Sequence, residues 1–417
     1  MSKTHHFGIV TPPVPGHIHP FGALGRELVA RGHRVTVFHI PDLTERIRNE
    51  ELEFVSIGED AHPRGSLTRS LAELGTRKGL SALRFTIAEV ARTTETMLRD
   101  APAAIRAARV STLLVDQTEL AGGTIAERLG LPFITICNAL AMNRESEVPP
   151  PFTPWSYSRS PWSSWRNRVG YAASAIMTRP IAKVVGRYRR EWGLPAWSSP
   201  EDSFSRIAQI SQQPPLFDFP RRHLPETFHY TGPLRRSMAR TIPFPWERLN
   251  GRPLIYASLG TLQNSRLPVF RCFAEACEGL DAQLVITHGG GLKPHEEAAL
   301  PGNPIVVPYA PQTELLARAS LTLTHAGLNT VLDSLTFGVP MIAIPITYEQ
   351  PAIAERLRYT GAGEIMSFGQ LNPARLREAI QRVLTKDSFR NAAGAIAESI
   401  RAAGGVQTAA DVILAAN

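Results

Sequence analysis

Short, uninterrupted apolar runs alternate along this chain with longer stretches whose apolar residues recur every three or four positions. The runs predict strands buried on both faces, and the stretches between them predict amphipathic helices. Residues 7–11 form the first such strand. The loop "PPVPGHIH" follows, then a helix expected to open at Pro20 and end at Gly32, with Phe21, Leu24 and Leu28 on one face. Proline suits a first helical turn because its missing N–H would be unpaired there. "RVTVFHI" is the next strand. "TLLVDQTELAGGTIAERLGLPFITIC" repeats the unit, with a strand over 112–115, then Asp116, a helix and another strand. Repeats of this kind imply a parallel sheet covered by helices.

Between Gln213 and Pro253 the chain is dense in proline, which favours extended connector over helix or central strand. Beyond it the pattern restarts with the strand candidates "PLIYASLG", "QLVITH", "PIVVPY", "LTLTHAG" and "PMIAIP". We therefore expect an α/β chain with an N-terminal parallel-sheet domain over 1–234, a linker over 235–252 and a second parallel-sheet domain over 253–395. Residues 396–417 form a C-terminal helical segment, broken by Gly404 and Gly405 and able to pack back on the first domain.

Length and composition fit this division. The chain has 417 residues, more than one core usually supports at roughly 150 residues per domain. Apolar content of 43% and charged content of 20% are ordinary for a folded globular protein. The first residues lack the apolar run of a secretory signal, and no run is long enough to span a bilayer, so a cytosolic location is expected. Cys137, Cys272 and Cys277 include no CxxC pair and are expected to be free packing residues.

"LTLTHAGLNTVLDSLTFGVPMIAIPITYEQPAIAERL", residues 321–357, concentrates polar groups at the mouth of one helix and after the next strand. His325 follows a strand, where ligands of open parallel sheets bind. Gly327 allows close backbone approach, and the helix starting near Asn329 offers unpaired N–H groups. Together these make an anion site, most simply for a phosphate or diphosphate. The alternative is that His325 and Asn329 only cap the helix.

In the first half, His17 lies in the loop after the first strand, where an imidazole can accept a proton from an alcohol; the alternative is a lone surface histidine. Asp116 ends the strand 112–115 and would orient that ring if the two strands are neighbours; otherwise it is a helix N-cap. His19 has no third ligand spaced near it, so no metal site is expected. The chain contains no P-loop and no strand-linked GxGxxG, which argues against a nucleoside triphosphatase and a nicotinamide enzyme.

The run "VPYAPQTELLARASLTLTHAGLNTVLDSLTFGVPMIAIPITYEQ", with "GHIHPFGALGRELVARGHRVT" and "YASLGT", resembles the family 1 UDP-glycosyltransferases. Within that family, "HAGLNTVLDSL" and "PITYEQPAIAERL" are most similar to the bacterial carotenoid (zeaxanthin) glucosyltransferases. The resemblance implies the GT-B fold, two Rossmann-like parallel-sheet domains facing a cleft, with residues 1–234 binding the acceptor and residues 253–395 the sugar nucleotide. It implies inverting, metal-independent transfer of glucose from UDP-glucose, a donor substrate rather than a cofactor, to a hydrophobic alcohol. A hydroxylated carotenoid comes first, and a phenolic, terpenoid, sterol or polyketide aglycone second. A sugar-nucleotide epimerase and a catalytically silent partner protein are the alternatives of another class.

By the same resemblance His17 is the general base and Asp116 its orienting partner. His325, Asn329, Thr330 and the amides after Gly327 would meet the diphosphate. Ser258, Gly260 and Thr261 would line its other side. Asp333, where the family often has glutamate, would hold the ribose hydroxyls. Gln312 would touch the nucleoside and Tyr309 would stack on uracil. Glu349 and Gln350 would bind the sugar hydroxyls.

The net charge of +8 is concentrated rather than spread. Between Trp155 and Trp192 eight basic residues face the single acid Glu191, with four of the six tryptophans in the same segment. From Val169 the apolar residues Ala173, Ile176, Ile181, Val184, Tyr188 and Trp192 recur at near-helical spacing, with a break expected at Pro180. Two compatible readings follow: peripheral attachment to an anionic membrane surface, or a helix over the acceptor cleft with solvated arginines. No nucleic-acid partner is expected.

Overall fold

The computed structural model describes residues 4–77, 79–236, 242–260, 264 and 266–416. The first domain is built on a seven-stranded sheet: β1 (His6–Val10), β2 (Arg34–His39), β3 (Glu53–Ser56), β4 (Thr112–Asp116), β5 (Phe133–Cys137), β6 (Gln209–Ser211) and β7 (Phe228–Tyr230). Their order is β3-β2-β1-β4-β5-β6-β7, and every pairing is parallel. The second sheet has six strands: β8 (Leu254–Ser258), β9 (Gln283–Thr287), β10 (Ile305–Val307), β11 (Ala319–Thr324), β12 (Met341–Ala343) and β13 (Gly363–Ile365). It is again all parallel, in the order β10-β9-β8-β11-β12-β13. The doubly wound α/β architecture read from the sequence is therefore present twice.

Helices cover both faces, which is why the central strands β1, β4 and β8 are apolar without alternation and fully buried. Phe7, Ile9, Leu114 and Ile136 anchor one side of the first sheet, and Ile255, Ile286, Leu323 and Ile342 one side of the second. A third apolar cluster crosses between the domains. Leu140 and Phe217 of the first domain pack there with Leu328, Val331 and Ile353 of the second.

Three expectations are corrected. The first helix runs over Pro15–Ala30, so His17 stands in its first turn and not in a loop, while Pro20 lies inside it. Pro15 supplies the N-terminal start, and Pro20 lacks the N–H that would pair with the Gly16 carbonyl one turn back. Asn329 of the second domain donates its Nδ2–H to that carbonyl at 2.8 Å, so a tertiary contact compensates the missing helical bond. Second, the proline-dense stretch is not all connector, because Phe228–Tyr230 pairs with β6 as an edge strand. Three residues carry no readable period, and an edge strand tolerates neighbouring prolines.

Third, the apolar row from Val169 to Trp192 is not one face. It divides into helices Pro161–Met177 and Arg179–Glu191. Val185, Val184, Tyr188 and Trp192 join a core cluster with Met97 and Ile125, whereas Val169 and Ile176 face solvent. After Gly404, whose φ of +81° suits glycine, the helix Gly405–Ala415 packs against Pro15–Ala30 through Val406, Ala409 and Ile413. Among the described residues no helix is long and apolar enough to cross a membrane.

Candidate active site

Both sheets reverse their winding at one place. In the first it lies between β1 and β4; in the second, between β8 and β11. Ligands of such sheets bind beyond the carboxyl ends of the strands at that point. His17 follows β1 and Asp116 ends β4, while Ser258 ends β8 and His325 follows β11. Strand order, invisible in the local sequence, thus brings each pair together.

The His17 Nδ1–H donates to Asp116 Oδ2 at 2.7 Å. With Nδ1 engaged, the ring position that can accept a proton is Nε2. Asp116 is completely buried, while the His17 side chain keeps 17% of its surface accessible, so an alcohol can reach the ring. Burial pushes the imidazole pKa down, but the Asp116 charge and hydrogen bond, with the charge of Glu349, outweigh it and hold the ring above its usual value. Burial pushes Asp116 up, and His17 together with Thr118 more than reverses this.

Asp116 does not cap the following helix. Glu119 does, accepting from the Ala121 N–H at 3.3 Å. The Asp116 carboxylate instead gathers donors, from the Thr118 N–H at 2.9 Å, its hydroxyl at 2.6 Å and Asn138 Nδ2 at 3.0 Å. Asn138 escaped the sequence reading. Its signal was its place directly after β5, the strand next to β4. His19, the other histidine of the motif, is exposed and donates to Glu50 at 2.6 Å. Among the described residues no group of three or more His, Cys, Asp or Glu side chains is placed to hold a metal.

On the facing domain, the helix Leu328–Thr336 begins after Gly327 with no side-chain cap, so its first N–H groups point outward without helical partners. The capping alternative for His325 and Asn329 is thus not what the structure adopts. His325 sits at this helix mouth between two glycines. A Cβ on Gly327 would lie 2.5 Å from its Nε2, and one on Gly260 would lie 2.9 Å from the same atom. Burial lowers the His325 pKa to about 4, so the ring is neutral at physiological pH. Among the described residues its buried Nδ1 meets no hydrogen-bond partner. Thr330 is buried in the first turn of the same helix. Thr261 lies outside the described residues.

Other expected residues form a connected set. Gln312 donates from Nε2 to Asp333 Oδ2 at 2.7 Å and accepts from the Tyr256 hydroxyl at 3.0 Å. Tyr309 is exposed at the rim, its hydroxyl donating to the Gly289 carbonyl at 3.3 Å. Asp333 also receives Arg235 Nε at 2.6 Å, and Arg235 Nη2 reaches Asn329 Oδ1 at 3.0 Å. Gln212 donates to the same Asn329 oxygen at 3.3 Å. The Asn329 side chain is therefore engaged between the domains. Arg235 and Gln212 were not foreseen, since their partners lie far away in sequence.

Glu349 reaches across the cleft, where its Oε2 accepts from the Leu140 N–H at 3.1 Å. Burial holds its carboxyl above the usual range. Gln350 Oε1 accepts from the Ile346 and Thr347 amides at 2.8 and 2.9 Å, which folds the loop under Glu349. Ala326 (φ 65°) and Tyr348 (φ 55°) take the left-handed conformation beside His325 and Glu349. Strain of about 1–3 kcal/mol at such positions is held by surrounding structure and clusters at functional sites.

Comparison with known proteins places the chain in a family. A family profile for "UDP-glucoronosyl and UDP-glucosyl transferase" matches residues 206–399, and one for the "Glycosyltransferase family 28 N-terminal domain" matches residues 15–136. A zeaxanthin glucosyltransferase of Pantoea ananas is 38% identical over 98% of this chain and 95% of its own length. The chain belongs to the family 1 UDP-glycosyltransferases. A second zeaxanthin glucosyltransferase of this family, from Pseudescherichia vulneris, is 35% identical over 98% of the chain and 97% of its own. The crystal structure of the kitacinnamycin glycotransferase superposes with a TM-score of 0.77 at 23% identity, covering all of both chains. The fold is that of GT-B glycosyltransferases, and this UDP-glycosyltransferase is an enzyme that moves a sugar from a sugar-nucleotide donor to an acceptor.

Proposed function

We propose that this enzyme transfers glucose from UDP-glucose, with inversion at the anomeric carbon and without a metal, to a hydroxyl of a hydroxylated carotenoid. The observation that carries the chemistry is the 2.7 Å His17–Asp116 pair, placed across the cleft from Glu349 and the uncapped helix beside His325. The acceptor hydroxyl loses its proton to His17 Nε2 while its oxygen attacks the anomeric carbon, and the bond to the UDP oxygen breaks on the opposite face. The leaving diphosphate takes up the electron pair. Its charge is met by helix amides and the neutral His325 N–H, the role that a divalent ion plays elsewhere. The two zeaxanthin glucosyltransferases similar over nearly the whole chain support the carotenoid acceptor.

The test incubates the purified protein with UDP-glucose and zeaxanthin, beside a panel of other apolar alcohols, in EDTA. Acceptor-dependent UDP release with a hexose gain in product mass is expected. UDP released equally without acceptor would identify an epimerase, and nucleotide binding without turnover would identify a silent partner.

Two further outcomes follow. The reaction needs neutral His17, and folding raises its pKa above the ordinary 6.5. The rate should therefore rise with pH through an acid limb above 6.5, and Asp116→Asn should move that limb to lower pH because burial then dominates. A pH profile of kcat for both proteins checks this. Gly327→Ala places a methyl group against the His325 ring. We expect donor binding to weaken on the order of tenfold, the worth of one hydrogen bond to a charged group. Calorimetric titration with UDP measures it, and unchanged affinity would remove His325 from the diphosphate site.

A further inference from the structure

The helix Pro161–Met177 is turned inside out. Its buried positions are Ser163, Asn167 and Gly170, whereas Trp162, Trp165, Val169 and Ile176 are 66%, 56%, 47% and 57% exposed. The spacing of these four, at three, four and seven residues, places them on one side of a helix. Trp162 and Trp165 stack on each other, with ring centroids 4.9 Å apart. A soluble surface does not ordinarily gather two tryptophans and two branched aliphatic residues in one exposed row.

The inner face fixes this orientation. Asn167 Nδ2 donates to the Ser146 carbonyl at 3.0 Å, and the Tyr171 hydroxyl donates to the Val148 carbonyl at 3.1 Å. Gly170 admits Trp155, whose ring would lie 2.7 Å from a Cβ at that position. Rolling the helix to hide its apolar side would break these bonds and take both donors away from the Ser146 and Val148 carbonyls.

Charge selects the partner. Arg168, Arg179 and Lys183 are exposed and have no acidic partner among the described residues. In the next helix Arg187 and Arg189 are committed, to Glu95 at 2.6 Å and to Glu127 at 2.8 Å. We infer that the outward face of Pro161–Met177, with Arg168, Arg179 and Lys183, docks on an anionic lipid bilayer. Tryptophan rings settle at the headgroup level, the aliphatic residues enter the acyl boundary, and the cations meet lipid phosphates. An apolar face alone would suit a second protein equally; the unpaired cations beside it favour the anionic surface. This surface is independent of which acceptor the enzyme glucosylates.

The experiment is co-sedimentation of the full-length protein with vesicles of phosphatidylglycerol and phosphatidylcholine in equal parts, and with phosphatidylcholine alone, in the absence of donor and acceptor. Binding to the anionic vesicles is expected to be at least tenfold tighter, to weaken as salt rises, and to shift tryptophan emission to the blue. Trp162→Ser/Trp165→Ser should abolish the blue shift and weaken binding more than tenfold. Arg168→Glu/Arg179→Glu/Lys183→Glu, which leaves every apolar contact in place, should lose the preference for phosphatidylglycerol. Thermal unfolding and UDP binding of both variants should match the parent, which separates surface loss from misfolding. Failure of the parent to bind anionic vesicles, or equal binding by either variant, overturns the inference. So does a dimer in sedimentation velocity that the tryptophan variant converts to monomer, since a second copy would then cover the face. No outcome of the glucosyl-transfer assay bears on these readings.

Discussion

Replacing His17 by alanine is expected to lower kcat by about 10²- to 10⁴-fold, the usual contribution of a positioned general base, while the affinity for UDP stays within about twofold, since the change removes no phosphate contact. His17 belongs to the first domain, whereas the residues placed to hold the donor lie on the second. Asp116→Asn should fall in the same range for a different reason. An amide can offer an N–H to His17 Nδ1, which leaves the ring proton on Nε2, the tautomer unable to accept. The buried carboxylate also stabilises the imidazolium that forms during attack, and an amide supplies no charge for it. Initial rates at saturating donor, read as glucoside mass, with UDP titration in parallel, test both. A His17→Ala enzyme within tenfold of the parent would place the proton transfer on another group, and Glu349, whose charge acts on His17, would be the next to replace.

Much of this site was legible in the sequence because strand ends and helix mouths leave local marks. Glycine beside His325, and an apolar run ending in Asp116, each carry a physical reason that needs no tertiary information. What was not legible depends on strand order. That His17 and Asp116 meet requires β1 beside β4, and their residues are 99 positions apart. The start of the first helix was misplaced because Pro15 and Pro20 both fit a first turn; the choice was settled by Asn329, which satisfies the carbonyl that Pro20 leaves open. Strands β6, β7 and β13 have three residues each, too few for any periodicity. Arg235 looked like linker charge, and only the folded chain shows it binding Asp333 and Asn329.

These contacts give the cleft a definite geometry. Asn329 to Gly16, Glu349 to Leu140 and Gln212 to Asn329 all tie segments that follow strands of one sheet to segments that follow strands of the other. The reacting groups are thereby held by the same bonds that hold the domains. Preorganisation of this kind lowers the cost of orienting donor and acceptor before reaction.

Asp218→Ala should cost about 3–5 kcal/mol of stability at neutral pH, the penalty for leaving buried charge without its partner. Asp218, Arg221 and Arg356 are all buried, with side-chain exposures of 5% or less. Asp218 Oδ1 accepts from Arg356 Nε and Nη2 at 3.0 and 2.9 Å, and Oδ2 accepts from Arg221 Nε and the Tyr230 hydroxyl, each at 2.9 Å. Arg356 comes from the second domain and also lies over the Phe219 ring at 4.2 Å, so the carboxylate joins the two domains directly. Arg221 continues the chain of bonds, donating to the Asn143 and Ala141 carbonyls at 2.7 and 3.0 Å, in the loop whose Leu140 amide holds Glu349. Burial alone would raise the Asp218 pKa, but the two guanidinium groups hold it at about 2. Its folded value is thus depressed below the unfolded value of about 3.9. The part of the stabilisation tied to the carboxylate charge is fully present above that unfolded value and is lost as pH falls through about 2, so the difference between parent and variant should narrow there. Urea unfolding across this range measures the difference. Asp218→Leu combined with Arg356→Met should recover part of the loss, because apolar groups of similar volume leave no charge stranded between the domains, although Arg221 would keep its carbonyl contacts without a counterion. A loss for Asp218→Ala below about 1 kcal/mol would mean that water reaches the triad in solution, and the apolar cluster around Leu140, Phe217 and Val331 would then be what holds the cleft.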